Sequence, residues 1–335
     1  MGMAKNKRKL KKARYSGIGG QAVLEGIMMK NKDKYSVAVR KANGEIEVDI
    51  DEFTGVTKGG FIKNVPFLRG VFNFIDSLSL GIKCLNYSAN FYEEEAEQET
   101  KFDKAMNKIF KGHADKVLSG IVTLFSIAFA IGIFIVLPFF LTSLFSEYVR
   151  NESLKALIEG LIRIVIFVGY VALISLNKDI KRVYRYHGAE HKCINCVEHG
   201  RPLTVENVMR SSRLHRRCGT SFMLLVMLIS VICFFFIRVD SILLKVVIRL
   251  LLIPVIAGIS YEVLRFAGRH NNIFVRIISA PGMLLQRLTT KEPDESMAEV
   301  AIAAVEAVFD WKDFLKEKFG VDVDAPAETE ETVEG

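Results

Sequence analysis

The chain has 335 residues, 50% of them hydrophobic, with a mean hydropathy of +0.25 and a formal net charge of +7. That length and apolar content suit one compact membrane unit plus a modest soluble part. The positive charge is explained more cheaply by membrane insertion and anionic lipid headgroups than by nucleic acid, so membrane lipids are the expected partner and nucleic acid is not.

Residues 1–16 form a basic arm carrying Lys5, Lys7, Arg8, Lys9, Lys11, Lys12 and Arg14. No apolar core of a cleavable signal peptide follows it, so the first membrane span is expected to act as its own signal. Residues 17–116 read as a cytoplasmic or interfacial region. Gly17-Ile18-Gly19-Gly20-Gln21 predicts a glycine-rich turn, without the Lys-Ser/Thr of a phosphate-binding P-loop. Runs at 35–40 and 45–50 flank Lys41-Ala42-Asn43-Gly44, and the Asn-Gly pair predicts a β-hairpin. Pro66 is placed to open a helix in which Leu68, Val71, Phe72, Ile75, Leu78 and Ile82 recur at helical spacing opposite Arg69, Asn73 and Asp76. Such an amphipathic helix lies on the membrane or packs on the hairpin. The acidic run 93–97 reads as a solvated connector, and 102–110 lead into the first span.

Residues 117–146 contain no Asp, Glu, Lys or Arg, longer than the ~20 residues a helix needs to cross ~30 Å of hydrocarbon. Further spans are predicted at 157–177, 220–237 and 242–261, giving transmembrane pairs within 117–176 and 220–264. Lys155, Glu159 and Arg163 interrupt the entry of the second, and Lys245 and Arg249 that of the fourth, each set on one helical face. These side chains are expected to snorkel to the nearer interface; the alternative is a polar cavity between the two helices. The basic arm and the arginine- and lysine-rich segment 177–219 place both termini on the cytoplasmic side. In the region 265–320, the apolar pieces 273–278 and 283–288, broken by Ala280-Pro281-Gly282, are too short to span and read as interfacial. A soluble helix over 295–318 carries Met297, Val300, Ala301, Ala304, Val305, Val308 and Phe309 on one face, fit to dock on protein. Residues 321–335 read as an acidic, disordered tail. The predicted fold is thus an α-helical membrane protein of about four transmembrane helices, with a small cytoplasmic layer holding a β-hairpin and amphipathic helices.

The segment 177–219 holds His187, His191, His199 and His215 with Cys193, Cys196 and Cys218. His187-Gly188-Ala189-Glu190-His191 is a His-x-x-Glu-His pattern: on a helix the two histidines share a face and can bind one metal, with Glu190 beside them as a general base for a bound water. His215 and Cys218 are candidates to complete the shell. Three protein ligands leave a catalytic opening, whereas four close a structural site. Cys193 and Cys196 offer an alternative pair with the same histidines; on the cytoplasmic side they stay reduced. Gly188 counts against a plain helix, since glycine costs ~1 kcal/mol there relative to alanine.

Five stretches carry a resemblance. Gly-Gly-Gln-Ala-Val-Leu-Glu-Gly-Ile-Met-Met at 19–29, Tyr-His-Gly-Ala-Glu-His-Lys at 186–192, Leu-Thr-Val-Glu-Asn at 203–207, His-Arg-Arg-Cys-Gly-Thr-Ser-Phe at 215–222 and Pro-Gly-Met-Leu-Leu-Gln-Arg-Leu-Thr-Thr-Lys-Glu-Pro at 281–293 are similar to the YqhQ-like family of bacterial membrane proteins, in the same order over nearly the whole chain. The resemblance implies a metal-dependent enzyme at most, with no substrate attached. It places His187, Glu190, His191, Glu198, His215 and Cys218 within the family pattern, together with Gln21, Glu25 and Arg69, whereas Cys193 and Cys196 stand where the pattern has other residues. The expected activity is hydrolysis by metal-activated water, the metal being divalent and zinc by its ligands. His187, His191, His215 and Cys218 are then the metal candidates, Glu190 the catalytic residue, and the substrate a lipid-linked molecule or the partner a protein. The alternatives are a non-enzymatic scaffold with a structural metal site, and a transporter.

Overall fold

The computed structural model describes residues 13–56, 65–93, 114–145, 147–237, 239, 241–270 and 272–324. Most of the basic arm, the acidic run after Glu93, residues 102–110, His113 and the tail beyond 324 lie outside them. The chain divides into two compact units, each assembled from separated segments.

The first unit comprises residues 1–53, 182–215 and 290–335. Its sheet is an antiparallel meander of β1 (Gly19–Val23), β2 (Gly26–Asn31), β3 (Lys34–Arg40) and β4 (Ile46–Glu52), in that order. The expected hairpin is β3–β4, paired Tyr35 with Asp51 and Arg40 with Ile46, and Gly44 in its turn takes φ +89°. The glycine-rich stretch expected as a turn is instead strand β1. Gly20 is needed there because a Cβ would fall 2.6 Å from the Met28 carbonyl oxygen and 3.0 Å from Cγ of Glu190. The β1–β2 turn puts Glu25 at φ +49°, a conformation that costs a non-glycine residue energy and is held only by its surroundings. Arg182 and the Tyr186 hydroxyl, 3.2 Å away, both donate to its carboxylate.

Helix α5 (Lys178–Glu198) supplies the centre of this unit, and every residue from Gly188 to Glu198 is buried. Against it pack α10 (Glu295–Glu306) and α11 (Trp311–Phe319), whose Met297, Val300, Ala301, Ala304, Val305, Trp311, Phe314 and Leu315 join Tyr186, Ala189, Cys193 and Val197 in one core. The single helix expected over 295–318 is therefore two, since the Asp310 side chain accepts from the Asp313 amide and starts a new helix, leaving Val308 and Phe309 in the break. The sheet is fastened to α10 by Ser36 Oγ, which donates to the Ala304 carbonyl at 2.6 Å in a buried setting.

The second unit comprises residues 54–181 and 216–289. It is helical: α1 (Leu68–Glu93), α2 (Ala114–Ile131), a π-helical turn (Gly132–Val136), α3 (Leu137–Ser143), α4 (Glu152–Ile174), the short α6 of the first unit (Val205–Met209) intervening in sequence, then α7 (Gly219–Phe235), α8 (Ile242–Arg269) and α9 (Ile273–Thr289). Three stretches, Gly120–Ser143, Glu152–Ile174 and Val246–Arg269, are long and apolar enough to cross a membrane. Their side chains stand bare, with Leu124 70%, Phe125 68%, Val165 70% and Leu251 69% exposed, a surface that lipid solvates and water does not. The remaining expected span, α7, has only 17 residues, a rise of about 25 Å.

Helix α1 packs along α8. Arg69 forms a two-pronged ion pair with Glu262 at 2.6 Å and Asn73 donates to the Tyr261 hydroxyl at 2.8 Å, so Arg69 secures one helix to another. The two apolar pieces expected around Pro281 are one helix, α9. Its Gly282 lies so close to α7 that a Cβ would be 2.6 Å from Ser221 Oγ, and Gln286 donates to the same hydroxyl at 2.7 Å.

Snorkelling fails for three of the charged residues at the span entries. Arg163 and Arg249 both turn inward onto Glu159, at 2.8 Å each, and Arg163 Nε also donates to the Phe134 carbonyl of the π-helical turn at 3.1 Å. An extra residue in a helical turn frees such a carbonyl from the regular ladder, and the arginine takes it up.

The doubt raised by Gly188 resolves in the packing. A Cβ there would sit 1.9 Å from the Lys291 carbonyl oxygen, so glycine allows the segment entering α10 to run directly over α5. Gly188→Ala should lower stability by about 1–3 kcal/mol or more, despite alanine's better helix propensity. A thermal midpoint in detergent equal to or above that of the wild type would contradict this packing.

Candidate metal centre

Helix α5 sets His187, His191 and Glu198 on a single stripe, one turn and then two turns apart. The His187 and His191 rings meet edge to face with centroids 4.4 Å apart, and their ligand nitrogens lie within 4.8 Å of one another. His215 comes from the loop after α6, its ring 5.6 Å from that of His191. Two imidazoles on one tetrahedral zinc, bound at ~2.0–2.1 Å, have centroids about 5 Å apart, so both spacings suit a shared ion after small adjustments.

A ring nitrogen of His191 is engaged in a way that fixes its tautomer. His191 Nδ1 is 2.7 Å from the Arg213 carbonyl, which can only accept; Nδ1 therefore carries the proton and Nε2 the lone pair. His215 Nε2 is 3.4 Å from Oε2 of Glu198. Oε1 of Glu198 in turn accepts from the Ser16 amide at 2.9 Å and hydroxyl at 2.8 Å. A carboxylate behind an imidazole fixes the orientation of the ring and raises its basicity.

The loop that carries His215 is gripped by α5 through its carbonyls. Lys192 Nζ donates to Met209 and Ser211 at 2.8 and 3.0 Å, Asn195 Nδ2 to Ser212 and Leu214 at 2.7 and 3.0 Å, and His191 to Arg213. Arg213 adds a bond to the Thr290 carbonyl and pairs with Glu292 at 3.2 Å. His191, Glu190, Glu198 and His215 are 1%, 4%, 6% and 8% exposed, while His187 is half-buried. Glu190 lies between the Tyr186 and His187 faces of α5, its Cγ over Gly20 of β1.

The alternative cysteine pair lies elsewhere. Cys193 and Cys196 belong to the hydrophobic core, and Cys196 stands on the side of α5 opposite His187, so they do not join the histidines in an alternative site. Burial drives both thiols up, Cys193 well above its ordinary value and Cys196 to about 11, and Cys196 Sγ rests 3.4 Å from the Pro202 carbonyl. Cys218 is the buried N-cap residue of α7 in the second unit, with Sγ 3.1 Å from Thr220 Oγ1. His199 Nδ1 lies 2.8 Å from its own helix carbonyl at Asn195, and His270 stacks on Phe266. Sequence reasoning missed Ser16, Lys192 and Asn195. The seven-residue step from His191 to Glu198 was the available signal for the carboxylate; nothing in sequence marks Ser16.

The fold and these clustered histidines define a helical membrane protein with a small sheet-and-helix unit. The chain belongs to the family described as "Protein of unknown function (DUF1385)", which matches residues 65–311. It is 37% identical over 291 residues to "Uncharacterized protein YqhQ" of Bacillus subtilis (strain 168), covering 85% of this chain and 89% of that protein. No solved structure matches the chain.

Core thiols with raised pKa react slowly because the thiolate is the nucleophile. Cys193 and Cys196 should stay unmodified by a maleimide at about pH 7.5 in the folded protein and react once it is denatured, as peptide mapping would show; labelling in the native state would place them at a surface.

Proposed function

We propose that this protein is a multi-pass cell-membrane hydrolase whose cytoplasmic unit holds a divalent metal, zinc by the chemistry of its donors. His187, His191 and His215 would hold it, while Cys218, three residues beyond His215 in the chain, is the candidate fourth ligand whose binding would close the shell to water. The bound ion would supply Lewis acidity and lower the pKa of water at the site. Glu190 takes the proton from the attacking water and returns it to the leaving group. Glu198 positions His215, and Ser16 holds Glu198 with two donors. His187, on the half-buried side, marks where a substrate enters. An amide or phosphoester of a lipid-linked molecule is the proposed substrate class, given a chain that carries membrane spans.

The observation that carries this reading is the pairing of His187 with His191 while the Arg213 carbonyl fixes the His191 tautomer with its lone pair on Nε2. For the membrane arrangement we propose four crossings, with α7 as a short one, and both termini cytoplasmic, supported by the lysine and arginine content of residues 5–14 and 178–217.

The test is metal content per chain in purified protein. Wild type should carry near-stoichiometric zinc. His187→Ala and His191→Ala should lose it, Glu190→Gln should keep it while losing hydrolysis, and Glu198→Gln should weaken metal affinity about 10–100-fold. Retention in Cys218→Ala would mark an open, catalytic shell, and loss a closed structural one that sinks the hydrolase. Carefully purified wild type without metal would end the proposal altogether.

A further inference from the structure

A cavity of about 200 Å³ opens within the second unit where α3 ends, α4 begins and α7 ends. Its apolar lining is Phe139, Ala156, Phe234 and Ile237, and its polar lining Thr142, Ser143, Glu152, Lys155, Glu159 and Arg249. Its volume exceeds several waters, each taking ~30 Å³ of liquid, so a tetrahedral anion fits with room for part of a chain behind it.

The charges do not balance. Lys155 pairs with Glu152 at 2.8 Å, while Arg249 and Arg163, the latter behind the lining, share the single carboxylate of Glu159, so the ion-paired group as a whole counts three cations to two carboxylates. The two guanidiniums carry more N–H donors than Glu159 and the Phe134 carbonyl accept. Nε of Arg249 is buried without an acceptor among the described residues. Its guanidinium carbon lies 4.9 Å over the Phe234 ring, which together with Glu159 holds the group in place. Glu159 and Arg249 each lie seven residues beyond the start of their helices, about 10 Å along the axis. An excess positive charge at that depth in an apolar unit is costly alone, and an anion offsets it. The N-terminus of α4 at the same mouth adds the positive end of its dipole.

We propose that this cavity binds a phosphate group, with Arg249 and Lys155 as its donors and the apolar lining accepting whatever the phosphate carries. The source is either a phospholipid headgroup or free phosphate. The site owes nothing to the histidine cluster and stands or falls independently of the proposed hydrolase.

The experiment uses full-length protein in a zwitterionic detergent lacking phosphate. Its thermal midpoint is followed with dioctanoyl-phosphatidylglycerol, with inorganic phosphate, and with dioctanoylglycerol, which has the same chains and no phosphate. Binding to the folded state alone raises the midpoint by at least about 2 °C near saturation. A rise with phosphatidylglycerol only assigns a lipid headgroup; a rise with inorganic phosphate as well assigns the free anion. Lys155→Gln, at the cavity rim, should weaken either about tenfold, and Arg249→Lys, which keeps charge and loses the forked geometry, at least as much. Equal stabilisation by dioctanoylglycerol, no response to any of the three, or unchanged binding in Lys155→Gln overturns the proposal. If Arg249→Lys does not fold, Lys155→Gln alone decides.

Discussion

A backbone carbonyl buried away from water must find a donor, and the loop after α6 meets that demand by drawing on side chains of α5. Lys192, Asn195 and His191 donate to carbonyls from Met209 to Leu214. Each bond is worth only ~1 kcal/mol net, but losing a donor strands a buried acceptor at about 1–3 kcal/mol. Five such carbonyls on one short loop leave it little choice of path, and that path delivers His215 to the stripe. His191 serves in both roles, since the bond that helps fix the loop also selects its tautomer.

Close approach is the second constraint. Gly20 and Gly188 stand on opposing elements of the first unit and admit, respectively, Glu190 and the Lys291 carbonyl. Glu25 adds a polar restraint at the other end, binding the first turns of the same helix from a turn held at positive φ. Glu190 is thereby confined over β1 beside His187, its rotamer entropy already lost on folding.

The long apolar runs, the Asn-Gly hairpin and the His-x-x-Glu-His stripe were legible because each rests on local spacing. Strand β1 was not, because Gly19 and Gly20 look like a turn until β2 and α5 are laid against them. Proline at 281 reads as a break in isolation, yet α9 continues through it where α7 packs alongside Gly282. The break at Asp310 was written in sequence as an N-cap residue, but an uninterrupted apolar face hid it. The inward turn of Arg163 and Arg249 depends on a carbonyl released by a π-helical turn and on one glutamate between two helices, neither of which a snorkelling rule weighs. Cys193 and Cys196 show the converse: a spacing that suggests chemistry can be two core positions of a buried helix.

The first unit is threaded from three stretches of chain, and this orders its biosynthesis. The sheet leaves the ribosome first, but the face of β2 and β3 that holds Ile27, Met29 and Ala38 is covered by α10, made some 255 residues after β3 ends. At ~5–20 residues per second the wait is roughly 10–50 s. Throughout it the sheet exposes its apolar side, and every membrane span is synthesised in the interval. The surroundings of the histidine cluster are thus completed only after the long apolar helices between residues 114 and 269 have been synthesised.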